Sequence, residues 1–431
     1  MTAIPSTHLA SADGYFLSSA NPIANTDQRD LEAMAIQIYA RPEIVQEKQR
    51  TAASFLRVTS SIASQAVLDI LPSYIDSYTF RSIQLAVNSD AQYPRIMRIY
   101  TPAAKWLGND VPESRWGQEN SDNTYRIIPV EPDGQYVVTG QRQSRPPSHI
   151  SYMLVADTNT SVTVGLIEQH EMDIAPDGTF EITLDATPAN GRKNHIQITP
   201  DALYLFIRDT MGNWDQTPDA LRVKRLNPPT RGPLSIDKLT AKAIKVMRDG
   251  VAPAYYWQRI VLNIPMQSIS EPHLTGAMGG LQTQLSCGGW TTLADDEVAV
   301  ITITPFAAAY QNVQLYNLWG ASLDYRNHLT SFNNSQLAVG TDGDLTLVVS
   351  ARDPGLHNWL DNCGIREVTV MMRWQGLAMK TAKAPTVVMK IVKFADLAAA
   401  LPSDATRITP EQRASQIAER QRTYDRRFIA S

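Results

Sequence analysis

The chain has 431 residues, 43% of them hydrophobic and 19% charged, and this length favours two or more domains over one core. Its 39 basic and 43 acidic residues give a formal net charge of −4, so there is no electrostatic reason to expect nucleic acid or an anionic membrane as a partner. Two cysteines are too few for a disulfide framework or a cysteine-rich zinc site. Neither a signal-peptide pattern nor an apolar run of membrane-spanning length occurs, so we expect a cytoplasmic, reduced protein.

Residues 1–92 predict an N-terminal helical segment. Thr26 is suited to cap a helix that begins with "DQRDLEAMAIQIYA", and Pro42 fits the first turn of a second helix. From about residue 93 the helical period ends, and short β-like runs separated by Pro, Gly, Asn and Asp replace it. The chain is therefore expected to change from helical to mainly β at this point.

Two parts of the β region repeat each other. "DGTFEITLDA" begins at Asp177 and "DGDLTLVVSA" begins at Asp342, and both alternate apolar and polar residues after an Asp-Gly turn. The next apolar runs, "LYLFIRD" and "VTVMMRW", keep the same offset of 165 residues and align Arg208 with Arg373. A constant offset over roughly thirty residues indicates an internal duplication.

These patterns predict a mainly β fold with helical additions. We expect two tandem antiparallel β-sandwiches of jelly-roll-like or related topology, over residues 93–230 and 276–400. A helical connector over 231–275 is expected to join them, and a helical tail over 401–431 to follow the second.

The predicted tail has a clear helix start. Thr409 and Gln412 have capping-box spacing, with Pro410 at the first helical position. An apolar stripe follows on an otherwise charged segment and consists of Ala414, Ile417, Tyr424 and Phe428. We expect this helix to dock on its own chain or on a neighbouring subunit, and in the second case it would join a homo-oligomer.

Several stretches together resemble a known family: "AQYPRIMRIYTPAAKWLGND", "NTYRIIPVEPDGQYVVTGQ", "LFIRDTMGNWD", "NVQLYNLWGASLDYRNHLTSFNNSQ" and "RDPGLHNWLD". The set resembles bacterial proteins that carry the domain of unknown function 1214, often accompanied by its relative 1254. The resemblance covers roughly residues 40–390. It implies a mostly β architecture and a bacterial catabolic setting, and it transfers no catalytic residues. Asp361 stands where the common short form of the family has a proline.

The loop "ARDPGLHNWLDNCG", residues 351–364, is part of "SARDPGLHNWLDNCGIRE", which differs from its counterpart in the first copy, "DATPANGRKNHIQITPDA". The two loops agree in length and strand register, so scaffolding alone does not require Asp353, His357, Trp359 or Asp361. This asymmetry favours a functional site. The alternative is structural, with Asp353 capping the Pro-Gly turn and Trp359 plugging the end of the sandwich.

The second enriched stretch is "NLWGASLDYRNHLTSFNNSQ", which contains Asp324, Tyr325, Arg326 and His328. These residues provide a carboxylate, a phenol, a guanidinium and an imidazole, a set adequate for acid–base work. If residues 323–327 are extended, Asp324 and Arg326 share one face. The alternative is a plain surface ion pair between the two.

Two further stretches combine aromatic and polar residues. "RDTMGNWDQTPDA", which begins at Arg208 and includes Trp214, favours a structural or interdomain role. "YYWQR" in the connector lies where the domains meet, a common ligand location, although aromatic stripes on helices are more often core.

The leading hypothesis is a cofactor-independent catabolic enzyme, a lyase or hydrolase, that acts on an apolar or aromatic small molecule. Asp353 or Asp324 would be the base, His357 the proton donor and Arg326 the clamp for negative charge. The residues expected to contact the substrate are Trp319, Tyr325, Trp359, Tyr256 and Trp257. No metal is expected, because the seven histidines lack ligand spacing, and no nucleotide-binding motif occurs.

Three alternatives remain open from the sequence. Paired carboxylates would also permit glycoside chemistry. Two sandwiches around an aromatic seam could bind a carbohydrate or lipid without changing it. The protein could instead be a structural partner in a homo-oligomer.

Overall fold

The computed structural model describes residues 13–59, 63–275, 280–377 and 384–430, and it is mainly β with helical additions, as predicted. Three helices come first, two lie between the β regions and two follow: α1 Thr26–Tyr39, α2 Pro42–Thr59, α3 Gln65–Val87, α4 Ile236–Asp249, α5 Val251–Leu262, α6 Leu397–Ala400 and α7 Pro410–Asp425. Among the described residues, no helix is long and apolar enough to cross a membrane.

Helix α1 begins one residue away from the prediction. Asn25 is the N-cap, because its side chain accepts the N–H of Gln28, and Thr26 is the first helical residue. Helix α3 is buried along its whole second half, where it packs between α1, α4 and the first β region. Several buried polar side chains of this half have partners within the fold, as Arg81 does in Asn159, so α3 can lie in the core.

The first β region consists of β1 Met97–Ile99, β2 Ala104–Trp106, β3 Asn109–Val111, β4 Asn123–Pro129, β5 Tyr136–Gln141, β6 His149–Val155, β7 Thr163–Glu168, β8 Thr179–Asp185, β9 His195–Gln197, β10 Tyr204–Thr210 and β11 Ala220–Arg225. Its main sheets have the orders β1-β4-β10-β6-β7 and β11-β5-β8-β9, while β2 and β3 pair separately. The alternating residues Leu205 and Ile207 of β10 enter the core between the two sheets.

The second β region consists of β12 Ser268–Ile269, β13 His273–Leu274, β14 Leu285–Thr292, β15 Glu297–Ile303, β16 Ala308–Asn317, β17 Ser331–Asn333, β18 Leu345–Ser350, β19 Trp359–Asp361, β20 Glu367–Leu377 and β21 Val387–Lys393. Its sheets have the orders β12-β14-β20-β16-β17, with β13 also on β14, and β19-β18-β15-β21. From β14 onward this order matches that of the first region from β4 onward. In both regions a short parallel pair, β8 with β9 and β18 with β19, ends the smaller sheet.

The Asp122 carboxylate joins the two sandwiches. It is fully buried and accepts four hydrogen bonds. Oδ1 accepts from Trp214 Nε1 at 2.6 Å and from Asn333 Nδ2 at 2.9 Å. Oδ2 accepts from Tyr310 Oη at 2.6 Å and from Asn312 Nδ2 at 2.8 Å. One donor belongs to the first sandwich and three to the second, so this carboxylate holds their relative placement.

The tail docks on its own chain, and its predicted capping box between Thr409 and Gln412 is present. Arg420 is buried and donates to the carbonyl oxygens of Tyr325 and Ser331, at 2.5 and 3.0 Å. Farther along, the Phe428 ring contacts Trp106 of the first β region at a centroid distance of 5.6 Å. The tail therefore spans both sandwiches.

We expect Asp122→Asn to lower the free energy of unfolding by about 3 kcal/mol, because an amide NH₂ would face two buried donors in place of an accepting oxygen. Urea unfolding followed by tryptophan fluorescence measures this. The matched control is Asp215→Asn, a partly exposed carboxylate paired with Arg426, which should cost less than about 1 kcal/mol. Equal losses in the two variants would contradict the role of Asp122.

Candidate functional site

The tail helix α7 packs on the loop of residues 351–364. Asp353 accepts from Arg413 Nε at 2.9 Å and from Arg413 Nη2 at 3.1 Å. The Arg413 guanidinium also donates to the Leu356 carbonyl and lies 4.9 Å from the Trp359 ring centroid. Docking of the tail thus accounts for Asp353 of this loop, since the tail follows the second sandwich.

His357 and Trp359 also have structural partners. His357 Nε2 donates to the Gln336 carbonyl at 2.9 Å, and Trp359 Nε1 donates to the Ser350 carbonyl at 3.0 Å from a buried position. His357 does line an open cavity of about 510 Å³ beside the tail, together with Gln416. Asp353, the predicted base, is not among the residues that line this cavity.

Residues 324–328 form a turn instead of an extended segment. Asp324 Oδ1 accepts the backbone N–H groups of Arg326 and Asn327, both at 3.1 Å, and so stabilises the turn. Arg326 turns away from Asp324 and forms a bidentate pair with Asp425 of the tail, with both distances 2.7 Å. The expected pairing of Asp324 with Arg326 on one face is therefore replaced by a contact with the tail.

The predicted aromatic residues lie in different places. Tyr325 is buried against Trp214 and Tyr424. The Trp319 ring stacks on Tyr74 of α3 at 5.7 Å, and its Nε1 donates to the Val67 carbonyl at 2.9 Å. These are core contacts between the second sandwich and α3.

The two connector aromatics differ from each other. Tyr256 is 52% exposed, whereas Trp257 lines a cleft between the two sandwiches. Trp257 is therefore the predicted site residue that belongs to this cleft, and the other predicted residues do not line it.

The cleft has a volume of about 150 Å³ and lies between the outer faces of the larger sheets. One wall is aromatic: Tyr125 of β4 stacks on Phe206 of β10 at 5.5 Å, and Tyr100 meets both rings edge-on. Trp116 and Trp257 complete the apolar lining. Such a lining suits a ligand with a flat apolar body.

Two arginines at equivalent positions reach the cleft from opposite sides. Arg208 lies on the central strand β10 and Arg373 on the central strand β20, the pair that the repeat aligns. In each strand the residues on either side point into the sandwich core, as Ile207 and Met372 do. Strand alternation therefore directs both guanidinium groups outward.

The two arginines differ in how they are held. Arg373 donates to Tyr316 Oη at 2.7 Å and to the Gln118 carbonyl at 2.5 Å. Arg208 packs over the rings of Phe206 and Tyr125 and has neither a hydrogen-bond acceptor nor an ion-pair partner in the described part of the chain. Burial lowers the pKa of Arg208, and the like charge of Arg373 lowers it further. Arg208 is thus a partly buried cation without a counter-ion among the described residues.

Three residues of the cleft have a strained backbone. Tyr100, Gln118 and Ser161 have φ angles of 60°, 57° and 53°, a region that residues with a side chain rarely adopt. Such strain persists only where the surrounding structure imposes it, and it is concentrated at functional sites.

Glu119, which also lines the cleft, is a second perturbed group. Its Oε1 accepts hydrogen bonds from the Ser322 side chain and backbone, while Oε2 is buried and has no hydrogen-bond partner among the described residues. Burial raises the pKa of Glu119 to about 7. A carboxyl group with this pKa can accept or donate a proton near neutral pH.

Sequence reasoning did not identify Arg208 and Glu119 as site residues. The signal for Arg208 was present, because the repeat aligned it with Arg373, but its position before a polar turn favoured a structural interpretation. That interpretation suits Trp214, which binds Asp122. For Glu119 no sequence pattern pointed to a buried carboxyl group.

Comparison with one solved structure supports the fold. An uncharacterised protein from Burkholderia cenocepacia is 25% identical with a TM-score of 0.68, and the match covers 84% of this chain and 99% of that one. A protein from Vibrio parahaemolyticus is 12% identical with a TM-score of 0.42, covering 74% of this chain and 98% of its own. No family model and no curated protein matches the sequence. Since the first neighbour is uncharacterised, its likeness bears on fold and not on activity.

We expect Arg208→Met to raise the free energy of unfolding by about 1 kcal/mol, because it removes a partly buried charge that has no counter-ion among the described residues and keeps the apolar stem. The matched control is Arg126→Met on the neighbouring strand. Arg126 forms a buried bidentate pair with Asp209 at 2.9 and 3.0 Å, so its loss should cost about 3–5 kcal/mol. Urea unfolding compares the two, and equal destabilisation would show that Arg208 is structural.

The raised pKa of Glu119 predicts the pH dependence of stability. The folded state keeps the proton up to about pH 7, whereas the unfolded carboxyl group releases it near 4.5, so stability falls as the pH rises through this window. The difference is worth about 3 kcal/mol at about 1.4 kcal/mol per pKa unit. Glu119→Gln should remove this contribution in urea unfolding between pH 4.5 and 8. The control is Glu181→Gln on β8, and an unchanged profile in Glu119→Gln would contradict the assignment.

Proposed function

We propose that the protein binds a small organic anion with a flat apolar body in the cleft between its two sandwiches. The observation that carries this proposal is the partly buried Arg208 guanidinium, whose buried Nε has no acceptor and which lacks a counter-ion among the described residues. Burying a charge is costly unless a partner compensates it. An anionic ligand would supply that partner.

The hydrogen-bond donors of the cleft favour a carboxylate as the anionic group. A guanidinium binds a carboxylate with two parallel hydrogen bonds, and Arg208 has its donors free of protein acceptors in the described chain. Arg373 would add a second positive charge from the opposite sheet. The apolar part of the ligand would lie against Tyr125 and Phe206.

A second candidate is acid–base catalysis on the bound anion by a cofactor-independent lyase or hydrolase. The observation that favours it is Glu119, which lines the same cleft and has a raised pKa and a buried oxygen without a partner among the described residues. Glu119 would move the proton, the role first assigned to Asp353 or Asp324. Arg208 would stabilise negative charge, the role first assigned to Arg326.

We propose that the two sandwiches arose by internal duplication, which their matching strand orders support. The jelly-roll-like topology, the kinship with the domain-1214 proteins, the cytoplasmic location and a homo-oligomer stay predictions.

A thermal-shift experiment tests the cleft. Benzoate and phenylacetate are compared with the neutral benzyl alcohol and with glucose, on wild type, Arg208→Met and His357→Ala. At a concentration of 100 times Kd a ligand adds about 2.7 kcal/mol to stability. We expect the carboxylates to stabilise wild type and His357→Ala but not Arg208→Met.

Each other outcome has a definite meaning. Loss of the shift in His357→Ala but not in Arg208→Met would place the ligand beside the tail and overturn the proposal. A shift with glucose alone would favour carbohydrate binding. Mass spectrometry of the incubated ligands then separates binding from catalysis, because product formed by wild type but not by Glu119→Gln supports the acid–base candidate.

A further inference from the structure

Three side chains of types that can bind a metal ion lie close together, away from the cleft, at the edge of the second sandwich. His328, Asp361 and Cys363 each offer one ligand atom, and these three atoms lie within 4.8 Å of one another. His328 Nδ1 and Asp361 Oδ2 are 2.8 Å apart. The three residues are separated by up to 35 positions, so no spacing along the sequence indicated them.

From this juxtaposition we infer a binding site for a thiophilic divalent cation, Zn²⁺, with His328, Asp361 and Cys363 as its ligands. Zn²⁺ takes imidazole nitrogen, carboxylate oxygen and thiolate sulfur at bond lengths of about 2.0–2.3 Å. In a tetrahedral site the ligand atoms then lie about 3.5 Å apart. Small adjustments of the side chains therefore suffice to close the site.

Backbone hydrogen bonds hold the ligands in place. The Asp361 N–H donates to the Leu329 carbonyl at 2.9 Å, which ties the strand β19 to the segment that carries His328. Asp361 Oδ1 accepts the Cys363 N–H at 2.7 Å, so Oδ2 remains to face His328. The two segments are thus joined directly at the site, which reduces the reorganisation that binding requires.

The exposure of the site permits entry of an ion and leaves room for water. The His328 side chain is 44% exposed, while that of Asp361 is 13% exposed. Three protein ligands and one open position are the arrangement of catalytic zinc sites, in which the fourth ligand is water or substrate. Mixed ligation that includes a thiolate favours Zn²⁺ over the hard cations Mg²⁺ and Ca²⁺.

Binding is a balanced exchange of one proton for one ion. The Cys363 thiol loses its proton to the buffer as the sulfur–metal bond forms. The hydrogen bond between His328 and Asp361 opens, and the neutral imidazole changes tautomer by exchange with solvent, so that its proton moves from Nδ1 to Nε2 and Nδ1 can bind the ion. No oxidation or reduction takes place. The inference is independent of the ligand proposed for the cleft.

Titration of the full chain with Co²⁺, followed by competition with Zn²⁺, tests the site. We expect one equivalent of Co²⁺ to produce a thiolate-to-metal charge-transfer band that Zn²⁺ abolishes. Cys363→Ser should remove the band, and Asp361→Asn and His328→Ala should weaken binding by about 100-fold. The control is Cys287→Ser, since Cys287 is buried in the sandwich core and should leave the band unchanged.

A second measurement needs no variant and applies even if Cys363→Ser fails to fold. Zn²⁺ should slow the alkylation of Cys363 in the native wild-type protein at least about 10-fold, measured by peptide mass spectrometry. Absence of a Co²⁺ band together with unchanged alkylation would overturn the inference. So would a band that persists in folded Cys363→Ser or disappears in folded Cys287→Ser.

Discussion

The carboxylate of Asp122 lies at the junction of the two sandwiches, fully buried, with one donor from the first and three from the second. A buried charge is stable only when hydrogen bonds replace its hydration, and here those donors exist only in the assembled molecule. The neighbouring segment continues the same junction, since Arg373 and Tyr316 bind the carbonyls of Gln118 and Glu119. The walls of the cleft therefore depend on the same set of contacts.

The two sandwiches share a strand order but have different surroundings. The outer face of the first larger sheet packs on helices and carries Tyr125 and Phe206. The outer face of the second carries Arg373, which donates to the Gln118 carbonyl. The tail explains Asp353 in the polar loop of the second sandwich, because Arg413 needs it as its partner. A set of polar residues that looks catalytic in the sequence can thus be the receptor for a distant helix.

The cleft differs from these structural networks in one physical respect. Asp122, Asp353 and Arg326 have their partners within the chain, so their charges are compensated in the folded protein. Arg208 and one oxygen of Glu119 have none among the described residues. Stability alone would not favour such groups without partners, and the proposed ligand would compensate them.

The sequence by itself determined the elements and their order. Alternation after the two Asp-Gly turns predicted β8 and β18, and the capping box predicted the start of α7, because these patterns depend on residues that are close along the chain. It also predicted the mainly β class and aligned Arg208 with Arg373. Only the tertiary structure decided which polar groups find partners, because Arg413 lies 60 residues from Asp353 and Trp214 lies 92 from Asp122. These distant contacts decide whether a charged residue has a partner within the fold or is left to bind a ligand. The local sequence cannot specify such contacts.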